Sequence, residues 1–275
     1  MTYRELCARL HEAGVPDPER DAAILMEEAL GLSSAGLMAR RNEYFDDPRL
    51  NEWARRRASR EPLQYILGRW SFMGLDFSVC PDCLIPRADT ELLCEEALRS
   101  LPRGGVFADL CTGSGCIALS ILKLRGDCRA LAVDLSPEAL AVAKKNAKEL
   151  GVADRVTFLL HDVTEPLPGD ESFDLIVSNP PYVPTEDTKA LEPELYHEPM
   201  LALDGGGDGM SVIRPMLTHV PTRLRPGGKL LIEFGYQSGG LVADLAHEAT
   251  IAGRLARYEI RKDLSGNDRL LVAEA

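Results

Sequence analysis

The segment between Val106 and Leu124 constrains the fold more tightly than any other stretch of the chain. A short apolar run, Val106 to Leu110, carries Asp109 near its end and leads into Cys111-Thr112-Gly113-Ser114-Gly115, after which a helical pattern runs from Ile117 to Leu124. The run is too short for a helix, and two glycines behind it permit a tight turn, so the segment reads as strand, turn and helix. A strand that is apolar on both faces needs parallel neighbours beside it and helices above and below. Downstream residues supply them. Ala130 to Val133 reads as a second strand ending in Asp134, and Ser136-Pro137-Glu138 caps a helix that reaches Leu150 and closes at Gly151. Val156 to Leu160 is a third strand with His161-Asp162 at its end, and Phe173 to Ser178 is a fourth. A helix near Ser211 to Leu224, a turn at Pro226-Gly227-Gly228 and a strand from Lys229 to Phe234 form the next unit. The expected fold is α/β, a Rossmann-like and mostly parallel sheet.

The first sixty or so residues have a different character. Asp17-Pro18 pairs a cap residue with a first-turn proline, Leu25, Met26, Ala29 and Leu30 share a face, and Gly31 closes the helix. Asp47-Pro48 starts another helix containing Leu50, Trp53, Ala54 and Arg57, which stops before Pro62. Residues 63–80 turn aromatic and roughly alternating, with Gly74 as a turn, and read as a hairpin. The division expected from these patterns is a helical bundle over 1–66, a hairpin linker over 67–83 and a catalytic domain over 84–275. No internal repeat or low-complexity segment appears.

Ligands of open α/β sheets sit at the carboxyl ends of the strands, where Gly113, Asp134, Asp162 and Asn179 all fall. The glycine turn allows a ligand close to the backbone at a helix N-terminus, and a carboxylate nineteen residues after Gly115, at Asp134, can accept both hydroxyls of a ribose. Asn179-Pro180-Pro181-Tyr182 follows the fourth strand. The Asn179 side-chain oxygen and the Pro180 carbonyl accept hydrogen bonds, neither proline offers a competing donor, and Tyr182 can lie flat against a planar group. That combination suits a planar NH2 whose delocalised lone pair must be turned toward an electrophile. Gly113-x-Gly115-x-x-Ala118 also satisfies the nicotinamide-dinucleotide fingerprint, so a dehydrogenase is weighed. Hydride transfer has no need of an acceptor pocket of this kind; methyl transfer to nitrogen has.

Charge and composition narrow the partners. The net charge is −12, and residues 1–68 carry ten Lys/Arg against twelve Asp/Glu, so nearly all of the excess lies beyond them. A strongly acidic catalytic domain is ill suited to neutralising nucleic-acid phosphates, and no direct nucleic-acid binding is expected. No apolar stretch approaches membrane-spanning length and Met1 to Glu12 lacks a signal-peptide core, so a cytoplasmic protein without membrane contact is expected. Seven scattered cysteines read as reduced thiols, Cys80-x-x-Cys83 lacks a second ligand pair, and no metal is expected. Arg55-Arg56-Arg57 with Arg60 reads as a solvated helix face, with a docking patch as the alternative.

Seven segments together resemble the PrmC/HemK family of peptide chain release factor glutamine N(5)-methyltransferases. They are Glu61 to Gly68, Leu84-Ile-Pro-Arg-Ala-Asp-Thr-Glu91, Asp109 to Gly115, Ser178 to Tyr182, His197-Glu-Pro199, Gly205-Gly-Gly-Asp-Gly209 and Asp263 to Arg269. The resemblance implies a helical N-terminal bundle on a class I, S-adenosylmethionine-dependent methyltransferase fold with a mostly parallel seven-stranded sheet. It implies as partners the class I release factors, through the glutamine of their Gly-Gly-Gln loop. Cofactor contacts then fall on Asp109, Thr112, Gly113, Ser114, Gly115, Asp134, Asp162, Val163 and Asn179. The acceptor falls on Asn179, Pro180, Pro181 and Tyr182, with Arg87 and Thr90 beside it; Asn179, Pro180 and Tyr182 are the catalytic set. Cys111 stands where the family often has a glycine, and Val163 where some members have an aromatic ring.

Each assignment has a duller counterpart. Asp109 and Asp134 could simply cap or solvate strand ends, though two carboxylates flanking a glycine turn argue against it; Arg87 and Thr90 could only start the helix at Glu91, and His197 orders the Gly205–Gly209 loop rather than acting as a base. A sister family methylates a glutamine of a large-subunit ribosomal protein and shares Asn-Pro-Pro-Tyr; the segment at 84–91 favours the release factor. N6-adenine methylation of nucleic acid uses the same acceptor geometry, and a non-catalytic module that docks a translation factor is the alternative of another class.

Overall fold

The computed structural model describes residues 1–275. The chain divides into two units, Met1–Arg69 with Glu192–His197, and Trp70–Leu191 with Glu198–Ala275.

The first unit is helical: α1 (Tyr3–Glu12), α2 (Pro18–Leu30), α3 (Ser34–Ala39), α4 (Pro48–Ala58) and α5 (Leu63–Leu67). Local chemistry sets their ends. Thr2 and Glu5 form a reciprocal capping box at α1, and Asp47 accepts the Leu50 amide at α4. Gly31 and Gly68 close α2 and α5 in the left-handed conformation. Asp17 holds the cap position of α2 without a side-chain hydrogen bond, so Pro18 supplies the start. Leu6, Leu10, Leu25, Met26, Leu37, Leu50 and Ala54 are buried in its core.

The basic run of α4 is neither a solvated face nor a free patch. Arg57 is buried, 4% exposed, with Nε 2.7 Å from Asp21 Oδ2 and Nη2 2.9 Å from Glu194 Oε1. Arg60 grips the same Glu194 through two nitrogens, at 2.7 and 2.6 Å, and Arg56 pairs with Glu61. Burial alone would raise the Glu194 carboxyl; Arg60 and Arg57 carry it below its ordinary value. Only Arg55 keeps the solvated character expected of the run, paired with Glu52 at the surface. The expectation failed because Asp21 and Glu194 lie 36 and 137 residues from Arg57, beyond any local pattern.

In the second unit, β1 (Arg69–Phe72, whose first residue belongs to the first unit) and β2 (Leu75–Ser78) form the expected hairpin. Met73 and Gly74 both have positive φ, as a two-residue type I′ turn requires. Next come α6 (Glu91–Ser100), β3 (Val106–Leu110), α7 (Cys116–Leu124), β4 (Arg129–Asp134), α8 (Pro137–Glu149), β5 (Val156–Leu160) and β6 (Phe173–Ser178). They are followed by α9 (Ile213–His219), β7 (Leu224–Glu233), α10 (Gly239–Ile251), β8 (Arg257–Lys262) and β9 (Asp268–Glu274). The seven-stranded sheet has the order β5-β4-β3-β6-β7-β9-β8, parallel except for β9, which pairs antiparallel with both β7 and β8.

Alternate residues of the strands point to opposite cores. Phe107, Leu175, Val177 and Leu231 join α6, α7 and the hairpin phenylalanines Phe72 and Phe77. Ala108, Leu110, Ile176 and Ile232 join α9 and α10. Cys94, Cys116 and Cys128 are buried thiols of the first core and serve as small apolar side chains. Two details differ from the pattern in the sequence. The turn at Pro226-Gly227-Gly228 lies inside β7, where the pairing with β6 jumps from Leu224 to Lys229. The expected helix over 211–224 shortens to α9 and a 3-10 turn at Val220–Arg223.

Replacing Arg57 by alanine leaves Asp21 without its ion-pair partner and Glu194 with Arg60 alone, and is expected to lower unfolding stability by about 3 kcal/mol. Arg55→Ala leaves the unfolding midpoint unchanged. Thermal denaturation of the two variants side by side checks the contrast.

Candidate active site

The site grows from the turn that joins β3 to α7. Cys111, Gly113 and Gly115 all have positive φ, at 61°, 55° and 81°. For Cys111 this is the left-handed region that disfavours a side chain by roughly 1–2 kcal/mol. The turn is held from inside. Asp109 Oδ2 accepts the Thr112 hydroxyl at 2.6 Å and the Ala118 amide at 3.1 Å, so a strand carboxylate caps the helix that follows. From the side, Asp134 Oδ2 accepts the Gly113 amide at 2.8 Å while its Oδ1 accepts the Ser136 amide at 2.9 Å.

Burial decides the charge of these groups. Asp109 is fully buried with Oδ1 unpartnered, and desolvation pushes its carboxyl up to about 7 against the two hydrogen bonds it accepts. Asp134 is raised by the same cause, and its backbone hydrogen bonds oppose the shift. Asp162 is held below the ordinary carboxylate range because Oδ1 accepts both the hydroxyl and the amide of Thr164, at 2.7 and 2.8 Å. Burial raises the Cys111 thiol and keeps it protonated.

Two adjoining cavities open beside the turn. The larger is lined by Gly113, Asp134, Leu135, Asp162, Val163 and Asn179 among others; the smaller by Arg87, Thr90, Thr112, Gly113, Ser114 and Asn179 among others. Gly113, Cys111, Leu84 and Asn179 border both. Asp109 and Gly115, expected at the cofactor, line neither. Asp109 holds the turn from beneath, and a Cβ on Gly115 would come within 2.8 Å of Leu119 and 3.2 Å of Ala143, which makes this glycine a packing requirement.

The acceptor segment follows β6. Asn179 Nδ2 donates to Thr90 Oγ1 at 3.1 Å, which leaves its Oδ1 as the acceptor end. Thr90 is 2% exposed and makes no side-chain cap to α6, so its hydroxyl serves Asn179. Pro181 reaches the larger cavity; Pro180 and Tyr182 line neither. The Tyr182 phenol makes a long hydrogen bond, 3.5 Å, to Glu233 Oε1. The glycine-rich loop braces this segment at very short range. A Cβ on Gly205 would lie 2.6 Å from Tyr182 Cα, and one on Gly209 2.4 Å from the Tyr182 carbonyl. His197 belongs to the first unit, near Glu61.

Glu198 and Glu233 are site residues the sequence reading passed over. Glu198, 5% exposed, pairs with Arg87 and accepts the Ile85 amide at 3.1 Å, which fixes the segment before α6. Glu233 ends the apolar run of β7 as Asp109 and Asp134 end theirs, and that shared pattern was the available signal.

The larger cavity fits S-adenosylmethionine on its donor and acceptor set. Each Asp134 oxygen retains a lone pair beyond its backbone bond, Val163 and the half-exposed Leu135 offer apolar walls, and Gly113 has open space where a Cβ would be. Ser114 Oγ, buried and without a partner, borders the smaller cavity.

Comparisons with known proteins bear on the fold and the family. Residues 2–68 match the family described as PrmC N-terminal domain and residues 88–222 the methyltransferase small domain. A methyltransferase from Pyrococcus furiosus, 19% identical with a TM-score of 0.53 over 74% of this chain and 90% of its own, shares the fold. Fold and cavity therefore define a class I methyltransferase whose cofactor is S-adenosylmethionine. The release factor glutamine methyltransferase of Moorella thermoacetica is 40% identical over 282 residues, covering 99% of this chain and 98% of its own. That of Geobacter sulfurreducens is 46% identical over 234 residues, covering 82% and 80%. The chain belongs to the release factor glutamine methyltransferase family.

Asp134→Asn places an NH2 against one of the two backbone N–H groups that the carboxylate accepts. It is expected to weaken S-adenosylmethionine binding by about 10–100-fold, the equivalent of one lost charge-assisted hydrogen bond, as measured by titration calorimetry. A second expectation concerns pH. Asp109 and Glu233 both have folded values near 7, above their unfolded ones, so the native state binds more protons and stability falls as pH rises from about 5 to 7. Each group contributes a slope of at most about 1.4 kcal/mol per pH unit. Unfolding midpoints across that window should fall less steeply in Glu233→Gln than in the parent.

Proposed function

We propose that the protein transfers a methyl group from S-adenosylmethionine to the side-chain amide nitrogen of the glutamine in the Gly-Gly-Gln loop of class I peptide chain release factors. The observation that carries the reading is the orientation of Asn179 at the border of two cavities. Its amide nitrogen is committed to Thr90, so its oxygen is the end offered to an incoming NH2. The larger cavity takes the cofactor, the smaller the acceptor side chain.

S-adenosylmethionine, when bound, supplies an electrophilic methyl group. The chain's own residues position its acceptor. Asn179 Oδ1 and the Pro180 carbonyl each take one N–H of the glutamine amide, which leaves the nitrogen lone pair free to face the methyl group. The Tyr182 ring, partly exposed, is on this reading the side chain that packs against the amide plane. Arg87, held by Glu198 beside the smaller cavity, is available to the backbone of the incoming loop. Asp134 holds the cofactor ribose and Asp162 the adenine side, with Val163 as an aliphatic wall. Positioning and fixed dipoles account for the catalysis, and the methylated amide loses its extra proton to water. The acidic surface argues for a protein substrate rather than nucleic acid, and the reading places the enzyme in the cytoplasm with its substrate.

The test is transfer of labelled methyl to a purified class I release factor. Label is expected on the intact factor, and it should vanish when the loop glutamine is replaced by alanine. Asn179→Ala is expected to lower the rate by at least about 100-fold, as for loss of a preorganised hydrogen-bonding group. Label on a ribosomal protein or on DNA instead would refute the substrate.

A further inference from the structure

We propose that Glu198 is a specificity-determining residue of the acceptor site: by pairing with Arg87 it makes that arginine a donor for uncharged peptide carbonyls and withholds it from phosphate. The inference rests on the reading of the smaller cavity as the place of the acceptor side chain.

An Asn-Pro-Pro-Tyr pocket does not by itself choose between a glutamine amide and the amino group of adenine, since both present a planar NH2. What trails behind that group differs. In one substrate it is a neutral peptide backbone, in the other a sugar-phosphate chain, so the choice falls to a residue outside the pocket that meets the backbone. Arg87 stands at that place. Of the residues that line the smaller cavity it alone is charged, and its side chain is 35% exposed. An unpaired arginine there would be a phosphate ligand, because a guanidinium takes phosphate through a charge-assisted fork.

Glu198 removes that capacity. Its side chain, 1% exposed, receives Nη2 of Arg87 on Oε1 and the Ile85 amide on Oε2 at 3.1 Å. The first bond makes the pair net neutral; the second ties the carboxylate to the backbone two residues before the arginine, so the two cannot swing apart. Nε and Nη1 of Arg87 make no hydrogen bond within the protein. Their N–H groups suit the carbonyls of a loop whose glycines have no side chain to be read and must be held by their backbone. A phosphate brought to the same place would lie near the buried carboxylate and lose to repulsion what it gains from the arginine. Burial of an ion pair is weak evidence of a stabilising role, since apolar residues of the same volume often pack as well, so selectivity is the use assigned to this one.

The experiment compares the full-length parent with Arg87→Lys, Arg87→Ala, Glu198→Gln and the double variant of Glu198→Gln with Arg87→Ala. For each, kcat and KM on an intact class I release factor, S-adenosylmethionine affinity, and inhibition by a short single-stranded oligodeoxyadenylate are measured. Arg87→Lys keeps the buried carboxylate paired and loses the fork. It is expected to raise KM for the factor by about tenfold with kcat within about threefold, the mark of binding lost equally from ground and transition states. Glu198→Gln, which leaves the arginine charged and loose, is expected to raise the same KM by about fivefold. It should also strengthen inhibition by the oligonucleotide by about fivefold at low salt, an effect absent at high salt and in the double variant. The double variant should match Arg87→Ala in KM, because Glu198 acts through Arg87. Cofactor affinity should stay within about twofold throughout. Pro199 and Leu201, close to Glu198 in the chain, line the larger cavity, so a merely structural loss would weaken cofactor binding as well. Parental KM in Arg87→Lys, unchanged oligonucleotide inhibition in Glu198→Gln, KM losses that multiply in the double variant, or cofactor affinity that falls in step with KM would each overturn the proposal. A parent enzyme that labels the oligonucleotide and not the release factor would refute the substrate reading itself, and this proposal with it.

Discussion

Asp109 ties the end of β3 to the first turn of α7 through one oxygen that accepts the Thr112 hydroxyl and the Ala118 amide. Everything at the site is measured from that tie. It forces the intervening five residues into a turn with three positive φ angles, which brings the Gly113 amide to Asp134 and leaves Gly113 on the border of both cavities. The cost is a fully buried carboxyl with one unpartnered oxygen, partly relieved by the upward shift that burial imposes on it. A carboxylate placed beneath a helix N-terminus also uses up part of the helix field.

The same device recurs at three strand ends with three outcomes. Asp109 faces inward and shapes the turn. Asp134, one strand over, receives two backbone amides and still borders the cavity. Glu233, on the far side of β6, lines neither cavity and accepts the Tyr182 phenol. What separates them is the side chain's direction out of the pleat and the depth at which the strand stops, both properties of the sheet as a whole.

In the first unit the burial of Arg57 between Asp21 and Glu194 shows how little a local charge pattern says about exposure. Four arginines within six residues look alike as a string. Their helical positions send Arg55 to water and Arg57 inward, and the partners come from α2 and from a segment more than a hundred residues later.

The sequence by itself determined the strand-turn-helix core, the limits of β3, β5 and β6, the carboxyl-end placement of Gly113, Asp134, Asp162 and Asn179, and the motifs of the family. These are legible because apolar period, glycine turns and caps act over a few residues. Strands β8 and β9 escaped it: β8, Arg-Tyr-Glu-Ile-Arg-Lys, lies at the sheet edge and is charged for that reason, so it lacks an apolar signature. Tertiary structure alone decided that Asp109 and Gly115 stand behind the cavity wall, that Thr90 serves Asn179 rather than capping α6, and that Glu198 fixes Arg87. Each of those depends on hydrogen bonds or close contacts between segments far apart in the chain, and a one-dimensional pattern holds no record of which segments meet.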